Sequence, residues 1–84
     1  MKAFTLVWLP KAEAQLAEIW MAATDREEVR QSADSLEEAL AGDPLKVGES
    51  RSEQNRIVQV GSLVVIFHVS PQDRRVTVLR VRQA

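Results

Sequence analysis

The feature that most constrains this chain is its last third, where residues 56–82 read as three short strands separated by turn residues. Arg56-Ile-Val-Gln-Val60 runs into a Gly61-Ser62 turn, Leu63-Val-Val-Ile-Phe-His-Val69 into a Ser70-Pro-Gln-Asp-Arg74 loop, and Arg75-Val-Thr-Val-Leu-Arg-Val-Arg82 completes the set. β-Branched and aromatic residues fill the runs while Gly, Ser, Pro and Asp punctuate them, the pattern of a β-meander. Such a sheet must bury a face, so the upstream half has to supply its cover.

That half has the right elements. Phe4, Leu6 and Trp8 alternate with Ala3, Thr5 and Val7, as in a strand with one better-buried face. Pro10 suits the first turn of a helix, and Ala12, Leu16, Ile19, Trp20 and Ala23 recur at helical spacing with Glu13, Gln15 and Glu18 outside the stripe. Thr24-Asp-Arg-Glu27 has the form of a capping box, so a second helix starts almost where the first stops. Its stripe is Val29, Ala33, Leu36 and Leu40, and Gly42-Asp-Pro44 ends it. Helices joined this tightly pack as a hairpin. The predicted fold class is therefore α+β, in the order strand, helix, helix, three-stranded meander (βααβββ), with the hairpin on one face of a mostly antiparallel sheet. Residues 45–55 read as a link that pairs in part with the sheet or crosses its open face.

Turn geometry then assigns the two faces of the meander. A two-residue turn at Gly61-Ser62 sets Val60 opposite Leu63 and Val58 opposite Val65. A clean five-residue loop sets Phe67 opposite Thr77, Val65 opposite Leu79 and Leu63 opposite Val81. Val58, Val60, Leu63, Val65, Phe67, Val69, Leu79 and Val81 then share the face under the helices. The open face carries Ile57, Gln59, Val64, Ile66, His68, Val76, Val78, Arg80 and Arg82. An apolar patch ringed by polar groups on a small domain marks an interaction surface.

Totals bound the remaining classes. The 84 residues make one domain, 1–84, with a small core to which a partner's burial would add stability. The chain has no cysteine, hence no disulfide framework and no thiolate zinc site, and neither metal nor cofactor is expected. No apolar run approaches the roughly 20 residues of a membrane span and no secretory pattern is present, so a cytoplasmic protein without a membrane partner is expected. A net charge of −1 argues against a dedicated nucleic-acid binder. That average conceals an asymmetry: residues 1–44 carry four cations against nine carboxylates, net −5, and residues 45–84 seven against three, net +4.

Taken together, these stretches resemble the RelE/ParE toxin superfamily of type II toxin–antitoxin systems, also known as plasmid stabilisation proteins. The resemblance rests on the element order, on Trp8-Leu-Pro-Lys-Ala12 leading into Leu16-Ala-Glu-Ile-Trp20, on Asp43-Pro44 after the second helix, and on Gly48-Glu-Ser-Arg51, Arg56-Ile57, Leu63-Val-Val-Ile-Phe67 and Val76-Thr-Val-Leu-Arg-Val81. It implies a compact toxin neutralised by a co-encoded antitoxin. In the RelE-like branch, it further implies ribosome-dependent cleavage of messenger RNA by a cluster of basic residues and a C-terminal Tyr or similar group. Here Ile57 and Gln59 stand where that branch has lysines, and Val64 where it has an arginine. The segment for a further arginine and the tyrosine is expected to be missing because the chain stops at Ala84, and the sequence contains no Tyr.

The pattern is closer to the ParE-like branch, for which DNA gyrase is the target implied by analogy, with ribosome and mRNA as the alternative. The groups able to carry nuclease chemistry are His68, Arg80 and Arg82. The register above sets Val64 opposite Arg80, about 13 Å along the strands from His68, too far for joint work on one phosphate. No catalytic residue is therefore assigned. Ile57, Gln59, Val64, Ile66, Val78, Arg80 and Arg82 form the expected partner surface, and Arg80, Arg82 and Arg51 an expected anion site. The expected function is a protein-binding toxin held by an antitoxin. A ribonuclease with a reduced basic site, and a solitary scaffold that homodimerises through the same patch, stay open. Arg56 falls on the helix side and is expected to pair with a helix carboxylate, while Trp8 and Trp20 occupy core positions.

Overall fold

In the computed structural model, which describes residues 4–52 and 54–84, five strands form one mixed sheet. They are β1 (Thr5–Trp8), β2 (Glu49–Ser52), β3 (Asn55–Val60), β4 (Leu63–Ser70) and β5 (Arg75–Gln83), in the order β1-β5-β4-β3-β2. β1 runs parallel to β5 and the other neighbours are antiparallel. Ala3, read above into the first strand, and Glu53 lie outside the described residues. The α+β arrangement of strand, helical pair and meander is as the sequence implies, with β2 as an added edge strand.

Helix α1 (Pro10–Ala22) begins on Pro10, and α2 (Arg26–Gly42) follows after three residues. The cap of α2 is Asp25 rather than Thr24: its carboxylate accepts from the Glu28 N–H at 3.1 Å. A shift of one residue puts a charged acceptor at the positive end of the helix and frees Glu27 to pair with Arg30. Gly42 closes the helix from within, and the Asp43 N–H bonds to the Ala39 carbonyl. Pro44, which has no N–H to extend the ladder, opens a 3₁₀ turn over Pro44–Lys46. The Phe4 N–H donates to the Ala41 carbonyl at 2.9 Å, tying the entry to β1 to the end of α2.

Ala12, Leu36 and Leu40 from the helices meet Leu63, Val65, Phe67, Val69, Val76, Val78 and Val81 from the sheet in one buried core. The Gly61-Ser62 hairpin has the expected register, Val60 opposite Leu63 and Val58 opposite Val65. The β4–β5 pair does not. Phe67 lies opposite Val78, Ile66 opposite Arg80 and Val64 opposite Arg82, with a register shift that leaves Leu79 unmatched. The expected five-residue loop is a four-residue turn over 71–74, with Ser70 opposite Arg75, which offsets the start of β5 by one residue, and the bulge offsets the rest by one more. Val76 and Val78 turn inward and are fully buried, while Leu79 leaves the core face.

Of the two courses open to the link, pairing with the sheet is the one it takes. Residues 49–52 do not cross the open face but extend the sheet beside β3. Gly48 makes the approach feasible, because a Cβ there would stand 2.2 Å from the Ile57 carbonyl oxygen and φ is +70°. Arg56, on the helix side as expected, pairs with no helix carboxylate: its Nε and Nη2 donate to the Val47 and Gly48 carbonyls at 2.9 and 3.0 Å. Trp20 stands 38% exposed rather than in the core. No described helix is long and apolar enough to cross a membrane.

Candidate functional site

The corrected register redraws the open face. β5 now contributes Thr77, Leu79, Arg80 and Arg82, and Val7 joins from β1 opposite Thr77. Three cross-strand rows result: Thr77, His68 and Asn55; Arg80, Ile66, Ile57 and Glu49; Arg82, Val64 and Gln59. Ile57, Val64, Ile66 and Leu79 are half-buried and Val7 is exposed, so an aliphatic floor survives without Val76 or Val78. Val78, expected among the partner-binding residues, is removed from the site by its burial.

Two shallow depressions flank Val64 on this floor. One, of about 220 Å³, is lined by Gln15, Val64, Ile66, Arg80, Val81 and Arg82. The other, of about 420 Å³, runs from Val64 and Arg82 across Ile57 and Gln59 to Glu49 and Arg51. Val64 and Arg82 belong to both, so the depressions form one groove across the face. The expected anion residues are thereby brought to a single feature, with Arg80 at one end, Arg51 at the other and Arg82 shared. Glu49 at the Arg51 end moderates that positive field. Arg80 and Arg82 are exposed, while the floor between them is partly dry, a setting in which a carboxylate gains more from a guanidinium than it does in open water.

Gln15 closes the helix-side end. β1 pairs with β5 only as far as Val78, so the rest of that strand has an outward edge. There the Gln15 Oε1 accepts from the Val81 N–H at 2.8 Å, a backbone donor that no strand reaches. Sequence patterning placed Gln15 off the apolar stripe but gave no sign of this role.

His68 faces the same side. Its Nδ1 lies 2.9 Å from Asn55 Oδ1, which assigns Nδ1 as the donor and fixes the ring. Arg80 is opposite Ile66, two residues from His68 rather than four, about 7 Å along the strands. The expected 13 Å separation is therefore an overestimate, half of it from the four-residue turn that pairs Ser70 with Arg75 and half from the bulge at Leu79.

Identity comes from comparison with known families. The model of the family described as the ParE toxin of the type II toxin–antitoxin system parDE matches residues 6–84. The chain belongs to the ParE toxin family. Among solved structures, this ParE-family chain is similar to a chain of the RelBE2 toxin–antitoxin complex from Mycobacterium tuberculosis, with a TM-score of 0.78 and 18% identity over 98% of this chain and 99% of the other. It is also similar to a chain of the chromosomal ParDE system from Pseudomonas aeruginosa, with a TM-score of 0.71 and 16% identity over 96% of each. TrmO from Pseudomonas aeruginosa shares the fold at a TM-score of 0.65 and 23% identity, over 98% of this chain but 34% of TrmO. At these identities the structures speak for the fold alone. A comparison with curated protein sequences finds no match.

Proposed function

We propose that this ParE-family protein is the toxin of a two-component system and that the open-face groove is its binding site for the antitoxin. The observation that carries this reading is a half-buried aliphatic floor, Ile57, Val64, Ile66 and Leu79, with Arg51, Arg80 and Arg82 around it. Such a groove suits an extended, apolar and acidic segment, whose side chains cover the floor and whose carboxylates meet the guanidinium groups. Toxicity in the unbound state then depends on exposure of the same surface. The cellular target follows by family analogy only, with gyrase as the ParE-branch assignment.

Ile66→Asp places a charge in the middle of the floor without touching the core. Co-expression with the antitoxin-like product of a neighbouring gene is expected to yield a complex with the wild-type chain and none with the variant, at equal folded yield. Undiminished co-purification of Ile66→Asp overturns the assignment of the groove.

A further inference from the structure

A second concavity lies on the helical side of the molecule. It encloses about 430 Å³ and is lined by Trp8, Glu13, Leu16, Ala17, Trp20 and Glu37. Both tryptophans of the chain therefore meet there, between two carboxylates, and no cation lines it. The Trp8 indole Nε1–H is buried and has no acceptor. Trp20 already holds one guanidinium: Arg26 stands 5.9 Å from its ring centroid and donates to the Trp20 and Met21 carbonyls. Glu13 and Glu37 enter no ion pair among the described residues, whereas Glu27 and Asp34 share Arg30.

We propose that this concavity receives an arginine side chain from the antitoxin, which deepens the reading above and rests on it for the partner. An indole face attracts a guanidinium more strongly than other aromatic faces do. The planar cation stacks and donates in a fork, so arginine fits two indoles and two carboxylates better than lysine. Its aliphatic stem lies along Leu16 and Ala17. Charge selects the sign of the occupant. Residues 10–42 carry eight carboxylates against three cations, so a basic group is drawn to this side and an acidic one is rejected.

Because Trp8 and Trp20 are the only tryptophans, their fluorescence reports on this site directly. The probes are the capped pentapeptide Ala-Leu-Arg-Leu-Ala and its counterpart with Glu at the centre, each titrated into the full chain. The arginine peptide is expected to give a saturable change at a concentration about tenfold lower than the glutamate peptide. In the Glu13→Gln/Glu37→Gln double variant that preference is lost, and the antitoxin complex loosens by about tenfold. Equal responses to the two peptides, or an unchanged response and complex in the double variant, overturn the proposal.

Ile66→Asp separates this proposal from the open-face reading, since it leaves the concavity intact. If the antitoxin still binds Ile66→Asp but binds the double variant more weakly, the concavity stands and the open-face groove fails. If Ile66→Asp abolishes the complex while the peptides are indistinguishable, the groove stands and the arginine site fails.

Discussion

At residue 61 the backbone φ is +58°, and a Cβ built there would fall 2.1 Å from the Ser32 hydroxyl. That hydroxyl donates to Glu28 Oε2 at 2.8 Å and accepts from the Ser62 N–H at 3.3 Å, so it pins α2 to the β3–β4 turn. Gly61→Ala is therefore strained and also displaces the pin; a loss of about 2–4 kcal/mol in urea melts is expected. In Gly61→Ala/Ser32→Ala the 2.1 Å contact is gone, leaving the milder ones with Glu28 Oε2 at 3.0 Å and the residue-32 Cβ at 3.1 Å, so the pair should cost less than the two single changes added together. The Glu28 carboxyl is held below the usual carboxylate range by the Ser62 and Ser32 hydroxyls, although only the Ser32 contact is a formed hydrogen bond. A depressed folded-state pKa stabilises the fold above the unfolded value, near 4.3, and this contribution is lost as pH falls through the folded value. Denaturation from pH 6 to pH 3 should thus show a shallower acid loss in Glu28→Gln than in the wild type. Parallel profiles would remove Glu28 from the acid response. The Gly-Ser turn is legible in the sequence because a tight hairpin demands φ > 0. Its contact with Ser32, which lies 30 residues away, is not legible, since local patterning says nothing about which helix surface meets which turn.

β5 is where reading by element succeeds least. A strict period of two sets Val81 inward with Leu79 and Thr77, and leaves Val76 and Val78 outside. The cost of that choice, a buried threonine and two exposed valines, is the trace of the bulge in the sequence: valines at 76, 78 and 81 break phase between the last two. No Gly or Pro marks the break, so nothing local announces it. The helices and the β3–β4 hairpin are readable because each has an unbroken period, and for the same reason the facing of Ile57, Val64 and Ile66 toward the open side is readable. The corrected face makes a sharp prediction. Val78→Asp buries a charge in the core cluster, between its cross-strand neighbours Trp8 and Phe67, and should abolish the folded state by circular dichroism. Ile66→Asp, on the adjoining strand but on the open face, should melt within a few degrees of the wild type, on the order of 0.5 kcal/mol. The opposite result would restore the unbulged register. Gln15 of α1 bears on β5 too: Gln15→Ala strands the Val81 N–H at the outward edge and should lower stability by about 1–2 kcal/mol.

Across the whole molecule, charge is sorted by layer. The helical stretch 10–42 carries three cations against eight carboxylates, net −5, and the five strands carry five cations against one carboxylate, net +4, although the total for the chain is only −1. A uniform distribution of that small total would leave association with any partner nearly indifferent to salt. The sorted arrangement would not, because in the proposed complex an incoming acidic segment meets the field of Arg51, Arg80 and Arg82 before it meets the floor. The floor, in contrast, would hold the proposed partner through apolar contact, which salt does not screen. The two contributions separate kinetically: steering acts on the association rate and apolar burial on dissociation. Raising salt from about 0.05 to about 0.5 M should therefore slow association of toxin and antitoxin by about tenfold while changing dissociation by less than about threefold. Arg80→Ala/Arg82→Ala should reproduce much of the slow association at low salt and flatten the salt dependence. Stopped-flow mixing measures both rates. An association rate that is insensitive to salt in the wild type would mean that the sorted charges do not guide the encounter, and the groove would then be recognised by shape and apolar contact alone.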